Sequence, residues 1–450
     1  MAEVAGPGPS PSQSSSDDGG LAEELLEALA GSDSSDAEAG PGPSVGGASR
    51  KRGRGEAGLE GAGGGGNGPE EEEEAEAGVC PPHPGTYGGM CIRCGQVVDG
   101  APGAEGGMAE GEGVSMKYVH GALQLDKAYA ENLRRRDLAR VLGERKLILV
   151  LDLDHTLLNS ASFQETSEED FKLLDARWAK QAELPEEERL LCKLAPIHIW
   201  TKLRPGVHRF LRDASRLYEM YIYTMGDRPY ADEMAKLLDR DGSLFHGRVI
   251  SKRDSTERRT KDLDIVLGAD SAVLIMDDSI TVWPKHMRNV LVMERYHYHP
   301  SSLKSFGATG KALLHLAGDE DPAAGPLARA YSVLEAVHAK FFAGPAGGDV
   351  RDIFGDLKLG VLDGVCILFT HVIPKNVKPS THKLWRLAHE LGARCVLDTG
   401  DRVTHVVAGS KGTDKARWGR DQGRHVVGVK WLYACGYLWQ RAAEERYAIG

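Results

Sequence analysis

The stretch "KLILVLDLDHTLLNS", Lys146–Ser160, sets Asp152 and Asp154 one residue apart directly after an apolar run, with Thr156 two residues further on. Two more apolar runs end in polar residues: "MYIYT" in Thr224, and "AVLIMDD" in Asp277 and Asp278. In an open α/β sheet, ligands bind outside the carboxyl ends of the strands, so three such endings point to one shared site. Carboxylates packed this closely resist ionising together unless a cation neutralises them. A hard Mg²⁺ is the expected cation, because it takes one or two carboxylates and leaves positions for water or phosphate oxygens. Asp152 is then a nucleophile toward phosphorus, giving an aspartyl-phosphate. Asp154 protonates the leaving alkoxide and later deprotonates the attacking water. Thr224, and Lys261 from a helix expected in "TKDLDIVLG", bind the non-bridging oxygens as charge spreads over them.

The bland alternatives differ for each piece. A lone Asp-x-Asp after a strand serves as a turn and helix-cap device. Asp277 and Asp278 read equally as a solvated strand end, and Lys261 as a surface lysine. It is the ordered co-occurrence of the pieces that favours chemistry.

The elements that must hold these residues alternate between β-rich runs and amphipathic stretches: "KLILVLDL", "GVHRFLRDASRLY", "EMYIYT", "YADEMAKLLD" and "AVLIMDD". That alternation predicts a parallel sheet flanked by helices. The continuous apolar character of Leu147–Leu151 and Ala272–Met276 predicts strands covered on both faces. Helical periodicity leads in from Met116, and the polar stretch from Phe163 to Ala195 predicts a modest helical insertion.

At 450 residues the length implies two or three domains. The 55 glycines concentrate before about Gly113 among serines and acids, so residues 1–115 are expected to be mostly disordered. Within them, Leu21, Leu25, Leu26 and Leu29 have helical spacing suited to docking on a partner, and "RKRGR", Arg50–Arg54, reads as a nuclear import signal or, equally, as a solvated charge cluster in a tail. The net charge of -11 disfavours non-specific nucleic-acid or anionic-membrane binding. No apolar run approaches about 18 residues, and "MAEVAGPGPS" has no leader pattern, so neither a membrane span nor secretion is expected. Seven scattered cysteines fit a reducing compartment.

"DLDHT" matches the DxDx(T/V) signature of the haloacid-dehalogenase superfamily. More closely, "LVLDLDHTLLNS", "KLRPGV", "YIYTMGDRPYA" and "VLIMDDSITVWPKH" resemble the FCP homology domain of RNA polymerase II C-terminal-domain phosphatases, over roughly Tyr118 to Phe306. The resemblance implies a haloacid-dehalogenase-like (Rossmann-like) α/β fold. It also implies Asp152 as the phosphorylated residue, Asp154 as acid/base, and Thr224 and Lys261 as phosphate ligands, with Thr156 and Arg228 toward the substrate. Mg²⁺ would be held by Asp152, Asp277, Asp278 and the main-chain carbonyl of Asp154. The motif details, with the N-terminal Cys/His cluster, are nearest to plant-type members. The sequence ends soon after the second unit, so docking of transcription factors on a long acidic tail is not expected.

The second unit, with "GVCILFT", "HKLWRLAHELGA", "VTHVVAG" and Trp431 spaced to Cys435, resembles a BRCT domain. For BRCT domains that bind phosphopeptides, the matching residues are Thr370 and Lys415; packing and turn roles are the equal alternative. Cys80, His83, Cys91 and Cys94 in "CPPHPGTYGGMCIRC" offer three thiolates and an imidazole to a structural Zn²⁺, with free thiols in a flexible tail as the alternative.

The expected organisation is a disordered region with the Cys/His cluster at 1–115, an FCP homology phosphatase domain at 116–316, a helix-bearing linker at 317–350 and a BRCT domain at 351–450. The expected function is Mg²⁺-dependent dephosphorylation of serine or threonine in the RNA polymerase II C-terminal domain, in the nucleus, with transcription factors as further partners through the BRCT unit. The alternatives are a phosphatase of another phosphoprotein or a small phosphate ester, and a BRCT scaffold with vestigial catalysis.

Overall fold

The computed structural model describes residues 80, 82–98, 113–266, 268–308, 310–344 and 348–449. The leucine-spaced segment at 21–30 and the basic cluster at 50–54 lie outside the described residues. The first sheet is antiparallel, built from β1 (Gly85–Tyr87), β2 (Met90–Cys91), β3 (Gly113–Ser115) and β4 (Leu123–Asp126) in the order β2-β1-β4-β3. Gly85 pairs with Leu125, so the Cys/His segment is a sheet edge rather than a free tail. The expected boundary at 115/116 therefore runs through this sheet. β1 is three residues long and is followed by Gly88 and Gly89, too short a run to read as a strand from the sequence. Asp126 then caps the helix Lys127–Gly143 by accepting the Tyr129 N–H at 3.0 Å.

The chain continues through β5 (Leu147–Leu151), β6 (Leu158–Ser162), β7 (Leu191–Leu194), β8 (Ile199–Leu203), β9 (Tyr218–Tyr223), β10 (Val249–Ile250), β11 (Val273–Asp277) and β12 (Val290–Val292). Five of these form the central parallel sheet in the order β10-β9-β5-β11-β12. Every residue of β5 is buried, as its unbroken apolar run requires when both faces are covered. Val150 sits between Tyr221 of β9 and Ile275 of β11, which brings the carboxyl ends of three strands side by side. The expected helical insertion holds the helix Glu168–Lys180, but it also supplies β7 to a separate antiparallel sheet, β6-β8-β7.

The helix Pro326–Ala343 packs its Leu327, Ala330, Leu334 and Val337 into the phosphatase core, and Val350 and Phe354 of the helix Val350–Leu359 join them. The last unit follows with β13 (Cys366–Thr370), β14 (Arg394–Val396), β15 (His405–Ala408) and β16 (His425–Val427), all parallel, in the order β14-β13-β15-β16. Its helices fall where the sequence placed them, at Lys383–Glu390, Asp414–Asp421 and Val429–Leu438. Gly392 has φ +89°, and a Cβ there would lie 1.8 Å from the Leu359 carbonyl, so only glycine permits this approach of the last unit to the helix Val350–Leu359.

Trp431 is fully buried, its indole N–H donating to Ala442 O at 2.9 Å, and Cys435 is buried, as expected of core residues. Against Trp431 stacks His405, ring centroids 4.6 Å apart, with Glu444 Oε1 at 3.1 Å from its Nε2. Burial pushes the His405 imidazole down to about 4, with the Glu444 contact acting the other way. An unfolded histidine titrates near 6.5, so the folded chain favours the neutral ring; this stabilisation is complete above about pH 6.5 and is lost as pH falls toward 4. A shift of this size corresponds to up to about 3 kcal/mol. The urea midpoint is thus expected to fall between pH 7 and pH 4.5, and more steeply in the native chain than in His405→Gln; equal slopes in the two proteins would refute this account.

Candidate active site

Asp152 follows β5 directly, and its backbone N–H donates to Met276 O at 2.9 Å, which sets it beside the end of β11. A tight turn then reverses the chain: His155 takes φ +65° and its N–H reaches Leu158 O at 2.7 Å. A histidine in this left-handed conformation is strained, and the surrounding contacts hold it there. Asn159 and Ser302 approach its Nδ1 at 3.1 and 3.3 Å. Arg204 of "KLRPGV" is fully buried behind the turn, donating to Thr156 O at 3.0 Å and Glu294 O at 2.8 Å, with Glu320 as its counter-ion at 2.7 Å.

Lys261 is the hub of the site. Its Nζ lies 2.6 Å from Asp152 Oδ1 and 2.7 Å from Asp277 Oδ2, with the lysine 3% exposed. It comes from a loop before the 3₁₀ turn Leu263–Ile265, and the helix expected there does not form. Asp262 instead caps that short turn with its own side chain. Burial alone would lower the Lys261 pKa, but the two carboxylates outweigh it and raise it above the ordinary range. Burial pushes Asp152 up to about 7 although Lys261 opposes it. Asp278 is raised well above the carboxylate range by burial, then by Asp277 and Asp152.

Carboxylate oxygens of Asp152, Asp277 and Asp278 lie within 4.8 Å of one another. Asp277 already accepts at both oxygens: Ser279 N–H at 2.9 Å on Oδ1, and Trp283 Nε1 at 2.9 Å with Lys261 on Oδ2. Asp278 accepts from Arg295 Nε at 2.6 Å. Buried acids outnumber these cations, and an oxygen-seeking divalent ion fits the donor set. The Asp154 side chain is outside this group and turns to another partner, the Tyr230 hydroxyl, which donates to its Oδ1 at 2.5 Å. Burial raises the Asp154 pKa, opposed by that hydrogen bond.

Tyr230 belongs to the helix Arg228–Leu238, capped by Asp227, whose carboxylate accepts the Tyr230 N–H at 3.1 Å. Gly226 lets the ring in, since a Cβ there would lie 2.6 Å from it. Thr224 is buried next to β10, its hydroxyl accepting the Gly226 N–H at 3.0 Å, and it acts with Tyr230 to lower the Asp154 pKa against burial.

Two sequence-derived residues stand differently. Thr156, expected toward the substrate, is fully buried with no hydrogen-bond partner for its hydroxyl; the turn that Arg204 clamps folds it inward. Arg228, expected to hold a second anion, is committed to Asp254, to Val249 O at 2.9 Å and to Asp232 at 3.3 Å, so it braces a loop. Tyr230, Trp283 and Arg295 were missed as functional residues. The first two stand inside the motifs "YIYTMGDRPYA" and "VLIMDDSITVWPKH", whereas nothing around "MERYHY" signals Arg295.

Two further groups of residues converge elsewhere. Cys80, His83, Cys91 and Cys94 bring their ligand atoms within 4.8 Å of one another. The N–H groups of Arg93 and Cys94 point at Cys91 Sγ from 3.4 and 3.5 Å. Against the effect of burial, those groups and His83 hold the Cys91 thiol down to about 6. Thr370 and Lys415 line one cavity of about 750 Å³ with Lys375 and Trp385, and Lys415 Nζ donates to Leu397 O at 2.6 Å.

Fold and site define an aspartate-based phosphatase of the haloacid-dehalogenase type with an appended BRCT domain. The profile of NLI interacting factor-like phosphatases matches residues 147–318, and that of the twin BRCT domain matches residues 365–431. The chain is 42% identical over 371 residues to RNA polymerase II C-terminal domain phosphatase-like 4 of Arabidopsis thaliana, covering 82% of each chain. To phosphatase-like 3 of the same plant it is 44% identical over 331 residues, 71% of this chain and 26% of that one. The solved fission yeast RNA polymerase II CTD phosphatase Fcp1, bound to beryllium fluoride, superposes with a TM-score of 0.54 at 25% identity, over 71% of this chain and 100% of that one. The chain belongs to the RNA polymerase II C-terminal-domain phosphatase-like family.

The phenol of Tyr230 orients Asp154 and occupies one of its oxygens. Tyr230→Phe is therefore expected to lower kcat by about tenfold while KM stays within about twofold, the pattern of an interaction that matters in the transition state. Steady-state kinetics on a phosphopeptide would check this.

Proposed function

We propose that this chain is a Mg²⁺-dependent protein serine/threonine phosphatase that dephosphorylates the C-terminal domain of RNA polymerase II in the nucleus. The observation that carries the reading is Asp152 at the end of β5, held by Lys261 at 2.6 Å beside Asp277 and Asp278, in a family whose named relatives are phosphatases of that domain. Asp152, Asp278 and the Asp154 carbonyl would hold the cation, with Asp277 beside them. Bound there, it neutralises the carboxylates and draws negative charge off the phosphoryl oxygens.

Lys261 occupies Asp152 Oδ1, so the attacking atom is Oδ2. Oδ2 forms a bond to phosphorus as the serine oxygen departs, taking its proton from Asp154. The raised Asp154 pKa favours the protonated acid this step needs, and Tyr230 on Oδ1 leaves Oδ2 to carry the proton. Asp154 then takes a proton from water, whose oxygen attacks phosphorus; phosphate leaves and Asp152 is regenerated. Thr224 and Lys261 stabilise the phosphoryl oxygens in both steps.

The cavity between Thr370 and Lys415 is read as a site for a second phosphorylated stretch of the substrate or of a transcription-factor partner, which raises the local concentration of the tethered peptide. The Cys80, His83, Cys91 and Cys94 group is read as a structural Zn²⁺ site, supported by its convergence and by the N–H groups aimed at Cys91.

Two measurements test these readings. Phosphate release from heptad-repeat phosphopeptides should need Mg²⁺ and fall at least 1000-fold, in order of magnitude, in folded Asp152→Asn; turnover surviving that change, or seen only on sugar phosphates, removes the proposal. Elemental analysis should find roughly one zinc per chain, lost in Cys91→Ser together with protease resistance of the first sheet. A metal-free chain with the same resistance would count against the zinc reading.

A further inference from the structure

Each carboxylate in the cation cluster has an oxygen taken by a buried donor. Asp152 Oδ1 faces Lys261 at 2.6 Å, Asp277 is occupied at both oxygens, and Asp278 Oδ2 accepts Arg295 Nε at 2.6 Å. Arg295 lies three residues beyond β12 and is 5% exposed. Its guanidinium lies over the Phe306 ring at 3.9 Å from the centroid, a stacking that fixes its plane.

What a capped carboxylate can offer depends on the cation. Ca²⁺ takes six to eight oxygens and is favoured by carboxylates that chelate through both atoms. Mg²⁺ is smaller, near-octahedral, and accepts one oxygen from each carboxylate. A guanidinium locked on Oδ2 leaves Asp278 a single oxygen to give. We propose that Arg295 is a specificity-determining positioning residue: by capping Asp278 it keeps this ligand monodentate and selects Mg²⁺ over Ca²⁺. This rests on the reading of Asp278 as a cation ligand.

The test measures binding rather than turnover. Mn²⁺ bound to the full chain is followed by electron paramagnetic resonance and displaced by Mg²⁺ or Ca²⁺, counting only binding that Asp278→Asn abolishes. Arg295→Met should raise Ca²⁺ affinity relative to Mg²⁺ by about tenfold, and Arg295→Lys should keep most of the native ratio. A merely structural role would weaken both ions together, so a ratio within about twofold of native in folded Arg295→Met overturns the proposal. Should that variant not fold, Phe306→Leu must shift the ratio the same way by severalfold, and an unchanged ratio is equally decisive. A native chain in which Asp278→Asn changes no Mn²⁺ binding would instead overturn the cation reading beneath it.

Discussion

The structure is organised around the cost of gathering aspartates in a place largely closed to water. Asp152, Asp277 and Asp278 are drawn together by neighbouring strand ends, with Asp154 close by; among the described residues the buried cations paired with them are Lys261 and Arg295. A buried ion is expensive unless its partner and its hydrogen bonds are well placed. Here each cation is assigned: Lys261 bridges the two strand ends, and Arg295 holds the acid that follows β11. The imbalance that remains is what prepares the site for a divalent ion. A fully neutralised cluster would be a more stable interior and a poorer binding site.

Holding that imbalance in place requires rigidity around it, and the chain supplies it from three directions. The parallel pairing of β5 with β11 fixes the backbone spacing of Asp152 and Asp277. Arg204, wholly buried, ties the turn carrying His155 and Thr156 to the carbonyl of Glu294, next in sequence to Arg295. Tyr296 N–H then returns to His155 O at 2.9 Å, closing a loop between the turn after β5 and the segment that brings Arg295. Indole and lysine converge on one oxygen of Asp277, which ties that acid to Lys261.

How much of this was legible in the sequence follows from the range of the interactions. Strand ends are local signals: an apolar run, then an acid, is visible without knowing the neighbours, so Asp152, Asp154, Thr224, Asp277 and Asp278 could be placed at one edge. The BRCT elements were equally visible because each is short and bounded by polar turns. The partners of these groups lie far away in sequence. Arg228 has the composition of an anion ligand, yet Asp254, 26 residues later, claims it. Lys261 sat in a charged stretch that reads as helix, but the Asp262 side chain favours a capped turn. The first sheet escaped notice because strands of two to four residues carry almost no periodicity.

The BRCT unit is not on a loose tether. Phe354, in the helix between the units, packs into the phosphatase core and meets Trp439 at the end of the last BRCT helix, ring centroids 4.4 Å apart. Leu359 of the same helix closes on Gly392, and Ile280 and Val292, which flank the cation edge, share a small cavity with Tyr433 and Tyr437. Tethering of a peptide through a flexible linker gains from many geometries, whereas a fixed interface gains only when the spacing of the ligand matches that of the two sites. With the BRCT unit packed this way, any benefit from a second binding cavity goes to substrates of suitable repeat spacing. A repetitive phosphorylated tail meets that condition in several registers at once, and a compact phosphoprotein would meet it only by coincidence.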